Sequence, residues 1–143
     1  MIRLSFTVHG PPVPKARARV VGVSANLFAL LCGRCKSIVG KAHAVTPTKT
    51  RDYEKHVQMV AWGARSHCSA WPWQDKTTRY GIAIRVYRSR DAGDLGNYEK
   101  TIEDALNGVL WPDDRKLHAR GEGGIFACEK GRERVEVEVW TLD

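Results

Sequence analysis

The chain has 143 residues, 43% hydrophobic and 27% charged, and a formal net charge of +7. That length sets one domain with a modest core as the expectation, and the mix excludes collagen-like, coiled-coil and disordered chains. No apolar run approaches the ~18 residues of a membrane span, and the N-terminus alternates where a signal peptide would be apolar, so a cytoplasmic protein that does not engage a membrane is expected.

In chain order, Ile2, Leu4, Phe6 and Val8 alternate with Arg3, Ser5 and Thr7, the period of a half-buried strand. Gly10-Pro11-Pro12-Val13-Pro14 ends it, because proline cannot donate to a ladder. Lys15 to Arg19 follows as a basic loop, and residues 22–45 read as an inserted loop or small hairpin. Thr46-Pro47 leads into a helix over about 50–67, with Thr50 as the expected N-cap and Tyr53, Val57, Val60, Ala61 and Ala64 at helical spacing. A polar connection runs from Ser69 to Thr78, and Ile82, Ile84 and Val86 mark a second strand. A helix over about 95–107 stops at Asn107-Gly108. A strand at Leu117 to Arg120, a turn at 121–124 and a last strand carrying Val135, Val137 and Val139 complete the order. The expected fold is α/β, one compact domain over 1–143 with a mixed β-sheet and two main helices.

Charge is segregated. Residues 1–51 carry nine Lys/Arg and no acid, so the first third of the chain supplies the whole positive excess. A polyanionic partner, nucleic acid above all, fits such a segment, and so does a merely solubilising surface. Cys32 and Cys35 in Cys32-Gly33-Arg34-Cys35 have the spacing of half a zinc knuckle. His43, His67, Cys68 and Cys128 are the candidates to complete it, and no second Cys-x-x-Cys exists.

The stretch from Arg90 to Asp114 carries the chemistry. Asp94 stands before the second helix, where it can cap free N–H groups or point a carboxylate outward. Asp113 and Asp114 form a turn after it. Carboxylates meeting at one end of a helix suit Mg²⁺, which takes one or two of them and keeps several waters. Lys100, roughly one turn into the helix, can neutralise a phosphate. A plain cap and a plain turn account for the same aspartates, since both positions favour Asp for local reasons.

These residues resemble the RusA family of Holliday junction resolvases. Asp94, Asn97 and Lys100 are similar to that family's Asp-x-Asp-Asn run with its following lysine. Asp104-Ala105-Leu106-Asn107-Gly108 matches the helix end, and Asp113-Asp114 the closing turn. The opening strand, the Gly10-to-Arg19 stretch and Thr46-Pro47 before a Tyr-containing helix are similar too, whereas residues 22–45 lie outside the resemblance. The resemblance implies a homodimeric α/β nuclease. Its clustered aspartates bind Mg²⁺ (or Mn²⁺), and it resolves four-way DNA junctions by paired symmetric nicks in recombination and repair. It implies catalytic roles for Asp94, Asp114 and Lys100, metal ligation by Asp94, Asp114 and Asp113, and DNA contacts by Lys15, Arg17, Arg19 and Lys49.

One departure stands out: the family's second Asp is Gly96 here. Glu103, Glu99 or Asp91 can compensate; the side chains of Glu99 and Glu103 lean toward the helix N-terminus, and Glu103 is the favoured ligand because the apolar Ile102 and Ala105 flanking it face other ways. The alternatives are a non-enzymatic DNA-binding module built on a Cys32/Cys35 zinc element, and an interaction protein whose basic segment is only a soluble face. Trp71 and Trp73 are candidate base-stacking groups, and His118 lies close enough to the turn to approach the site.

Overall fold

The computed structural model describes residues 1–17, 19–21 and 43–142, with residues 19–21, 43 and 44 described by their backbone alone. The elements are β1 (Arg3–His9), β2 (Arg19–Val21), β3 (His43–Val45), α1 (Thr48–Ser66), β4 (Arg79–Arg88), α2 (Leu95–Leu106), a 3₁₀ turn (Asp114–Lys116), β5 (Leu117–Arg120), β6 (Gly124–Ala127) and β7 (Arg134–Leu142). By contacts the chain divides into Met1–Lys15 with Lys49–Asp143, and Ala16–Thr48. In the smaller unit β2 and β3 pair antiparallel, Arg19 opposite Val45. The expected insertion at 22–45 falls inside that unit, and its residues 22–42 lie outside the described residues.

The larger unit is one five-stranded sheet in the order β1-β7-β4-β5, with β6 also paired to β4. β7 runs antiparallel to both β1 and β4, while β5 and β6 run parallel to β4, so the sheet is mixed as expected. Alternation on three strands builds its apolar face in cross-strand rows. Leu4, Val139 and Ile82 form one row, Phe6, Val137 and Ile84 the next, and Val8, Val135 and Val86 the third. All but Phe6 are buried. Each such side chain contributes about 1.5–3 kcal/mol by leaving water. Truncating the central Ile84 to Ala should cost about 2–5 kcal/mol.

The two helices bury their apolar stripes in the same core. Tyr53, Val57 and Ala61 come from α1, and Tyr98, Ile102, Ala105 and Leu106 from α2. The helix α1 starts two residues before the expected cap. Thr50 lies inside its first turn and is buried, because the chain is already helical at Thr48. The helix α2 ends at Leu106 with Asn107 as C-cap, and Gly108 follows at φ +78°, a left-handed value that glycine tolerates. Gly108 N–H donates to the Trp111 carbonyl at 2.8 Å, which folds 108–111 back as a short apolar return.

Two expectations are corrected here. Trp71 is in the core, not on a base-stacking surface. Its ring packs on Tyr80, which packs on fully buried Trp111, and its indole N–H donates to the Leu110 carbonyl at 2.8 Å. Strand β6 continues from the expected turn at 121–124. Of its four residues only Ile125 packs on the core, too few to make an alternating pattern.

Candidate active site

The chain leaves the central strand at Arg88 and reaches α2 at Leu95 through a braced loop. The Arg88 guanidinium donates to the carbonyls of Ala92 at 2.9 Å and Gly93 at 2.6 Å, and pairs with Asp91 at 2.5 Å. The Tyr98 hydroxyl donates to the same Ala92 carbonyl. Gly93 sits at φ +79° against Pro14, whose Cβ would lie 2.8 Å from an added Cβ. Only glycine meets both demands there. This loop delivers Asp94 to the N-cap of α2, where its Oδ1 accepts the Asn97 N–H at 2.9 Å. The second oxygen, Oδ2, accepts no hydrogen bond among the described residues.

One turn further along α2, Lys100 pairs with Asp104 at 2.9 Å. The other Asp104 oxygen lies 2.9 Å from the Lys15 ammonium, which also bonds Glu54 of α1 at 2.6 Å. Lys15 N–H donates to the Asn97 carbonyl at 2.9 Å, so this residue ties the segment after β1 to both helices. Burial pulls the Lys15 pKa down, but hydrogen bonds to Glu54 and Asp104 outweigh it and leave it raised. The Lys100 pKa is raised chiefly by its hydrogen bond to Asp104, against burial, with the fields of Asp104, Asp114 and Glu103 adding. Lys100 is therefore a cation at neutral pH, fit to stabilise negative charge and unfit to act as a base.

The remaining acids of the segment differ in how far they are committed. Glu103 is buried, and its Oε1 lies 2.7 Å from Arg120 of β5, at an angle that makes an ion pair without a hydrogen bond. Glu99 pairs with the same guanidinium at 3.2 Å. Asp113 caps the 3₁₀ turn and takes the Arg115 guanidinium through both oxygens, the shortest contact 2.7 Å, which holds its carboxyl well below the usual range. Asp114 is exposed and makes no ion pair among the described residues, while its charge reaches Lys100. No hydrogen bond or ion pair joins Asp94 to Asp113 or Asp114. The structure thus brings Lys100, Asp104, Asp114 and Glu103 into one electrostatic neighbourhood and leaves Asp94 and Asp114 as carboxylates with oxygens to offer.

Among the described residues no group of three or more His, Cys, Asp and Glu gathers as a metal cage. A hydrated divalent ion takes only one or two carboxylates from protein, and Asp94 Oδ2 is one oxygen free to serve it. At Gly96 an added Cβ would meet nothing nearer than Asp94 Oδ1 at 3.6 Å, so the place of the missing family acid is open space beside Asp94.

Lys49 and Arg17 are exposed, while the Arg19 side chain and the zinc candidates Cys32 and Cys35 lie outside the described residues. Cys68 and Cys128 are free thiols, and nothing among the described residues supports a zinc element. Asp91, one candidate to replace the missing acid, instead braces the loop through Arg88. Sequence reasoning gave no role to Arg88, Arg120 or Glu54. Arg88 carried a weak signal, a base at a strand end just before an Asp-Ala-Gly-Asp turn; the other two carried none.

A lysine held protonated in the field of Asp114, on a helix capped by an aspartate with a free oxygen, suits phosphodiester hydrolysis. The family model described as endodeoxyribonuclease RusA matches residues 9–140, and the chain belongs to that family. Membership makes it an endodeoxyribonuclease, implies resolution of Holliday junctions in recombination, and so implies binding of branched DNA. Nucleases of this family generally need a divalent metal. The matched span encloses residues 22–45, which the motifs alone do not reach. No curated protein matches the chain. No helix among the described residues is long and apolar enough to cross a membrane.

Proposed function

We propose that the protein is a Mg²⁺-dependent resolvase, with Mn²⁺ as a substitute, that cuts four-way DNA junctions by paired symmetric nicks during recombination and repair in the cytoplasm. The observation that carries this reading is Asp94, capping α2 through one oxygen and offering the other, on the same helix as a lysine held protonated. Asp94 and Asp114 hold the ion, with Asp113 and Glu103 as secondary donors if their arginines release them. When bound, the ion supplies charge neutralisation at the phosphate and a water more acidic than bulk.

The chain's own residues do the rest. Lys100 places positive charge on the scissile phosphate as negative charge builds on its oxygens. Asp104 keeps that ammonium in place and protonated. Arg88 and Tyr98 hold the Asp94 loop so that the carboxylate is set before DNA arrives. Lys49, Arg17 and Arg19 contact the backbone, and the same role for Lys15 competes with its two carboxylate partners. A two-fold dimer would match the symmetry of the junction. Met59 and Trp62, 74% and 61% exposed on α1, offer apolar surface for such a contact.

The test is cleavage of a synthetic four-way junction with and without Mg²⁺, beside a linear duplex of the same sequence. Symmetric nicking of the junction, lost in Asp94→Asn while binding persists, is expected. Asn caps a helix as well as Asp, so the variant keeps its fold. Cutting by Asp94→Asn at the wild-type rate, or equal cutting of linear duplex, overturns the proposal.

A further inference from the structure

A cleft opens beside the Asp94 loop, on its β4 side. It has a volume of about 510 Å³, with Pro11, Pro12 and Pro14 along one wall and Tyr98 at the loop. Lys49, Arg90 and Lys130 line it from α1, the β4–α2 loop and the β6–β7 turn. All three are exposed, and none makes an ion pair or hydrogen bond among the described residues. Most arginines and lysines near the Asp94 helix are different: Lys15, Arg88, Lys100, Arg115 and Arg120 each have a carboxylate partner.

The one acid lining this cleft, Glu133, is turned to local bonds. Its Oε1 accepts the Ser89 hydroxyl at 2.5 Å and its Oε2 the Gly131 N–H at 2.7 Å. Those bonds fix the turn that carries Lys130. Lys49, Arg90 and Lys130 outweigh the single carboxylate of Glu133, which the field of Lys130 helps to keep ionised, so the hollow is net positive. A polyanion is the ligand such a hollow fits.

Position narrows the polyanion to the DNA beside the cut. Arg90 and Asp94 belong to one loop, and four residues span at most about 14 Å. At about 3.4 Å of rise per nucleotide along one strand, that reach is some four nucleotides. Proline rings and the Tyr98 edge give apolar walls suited to the deoxyribose between phosphates. We propose that this cleft is a phosphate-binding subsite, which grips the backbone of the cleaved strand within about four nucleotides of the phosphate at Asp94, with Arg90, Lys130 and Lys49 as its contacts. The inference rests on the nuclease reading only for the identity of the strand.

The test measures junction binding without metal, in an Asp94→Asn background, across a salt series. Arg90→Ala and Lys130→Ala should each lower the slope of log Kd against log salt by about 0.9, the value for one phosphate contact. Lys76→Ala, which removes an exposed cation that does not line the cleft, should leave the slope unchanged. Slopes for Arg90→Ala and Lys130→Ala that equal the Lys76→Ala slope overturn the subsite. Failure of the parent protein to bind a junction at all overturns the nuclease reading instead. Hydroxyl-radical footprinting separates the strands: protection lost in Arg90→Ala should lie on the nicked strand within four nucleotides of the nick, and loss elsewhere also overturns the proposal.

Discussion

Replacing Lys15 by Met decides whether this residue braces the fold or grips DNA. Its ammonium lies 2.6 Å from Glu54 and 2.9 Å from Asp104, with the three side chains only 25%, 19% and 28% exposed. Removing it leaves Glu54 without an ion-pair partner, and Asp104 with Lys100 alone, among the described residues. Breaking a fully buried pair costs about 3–5 kcal/mol, and an exposed one contributes about 0–1. Residues a fifth to a quarter exposed fall between, at about 2–3 kcal/mol. For a domain of this size that is a fall in Tm of about 6–9 °C, at roughly 3 °C per kcal/mol. Thermal unfolding by circular dichroism reads it directly. Adding Glu54→Gln removes the orphaned charge, so the double variant should recover part of the loss, with a coupling of about 1–2 kcal/mol. The salt slope of junction binding should stay at its wild-type value. A Tm within 1 °C of wild type, together with a slope lowered by about 0.9, would refute the brace and return Lys15 to the DNA surface.

Three further outcomes follow from the same geometry. Gly96→Asp should lower the Mg²⁺ concentration for half-maximal cleavage about tenfold, since a second carboxylate raises the charge offered to the ion; an unchanged midpoint in a metal titration counts against Asp94 as a ligand. Arg88→Met removes both carbonyl clamps on the Asp94 loop, and should cut kcat about 10²-fold while junction affinity without metal stays within twofold; equal loss of both would show a general disruption. Hydrogen bonds from the Thr77 side chain, the Thr78 side chain and the Thr77 backbone depress the Asp75 carboxyl from 3.8 to about 2. A folded value below the unfolded one gives stability that is full above pH 3.8 and lost as pH falls toward 2. Asp75→Ala should therefore lower Tm at pH 6 and leave it close to wild type at pH 2, and a gap independent of pH contradicts the assignment.

Much of the fold was legible in the sequence because its signals are local. Strands β1 and β7 and the core of β4 show period-2 alternation, and both helices show apolar stripes at helical spacing. The stop at Asn107-Gly108 and the cap at Asp94 rest on contacts only a few residues long. Strand β6 escaped because four residues on a sheet edge carry no pattern of their own. The family itself was legible from the acids and the lysine of the second helix, and the match over 9–140 agrees with it.

The division of labour among the acids was not legible. Glu99 and Glu103 look like spare ligands on the helix, yet both face Arg120, brought to them by the parallel pairing of β5 with β4. Lys15 looks like a basic-loop residue for DNA, yet Glu54 and Asp104 from two helices converge on it. Which charges are left over for substrate depends on which are neutralised by partners distant in the chain, and those pairings exist only once strands are in register and helices docked. Sequence alone determined most of the large sheet's elements, the cap and the family, since each rests on spacings of a few residues. Tertiary structure alone decided that Asp94 and Asp114 keep oxygens to offer and that Lys49, Arg90 and Lys130 share one cleft, because Coulomb energy depends on separation in space and not along the chain.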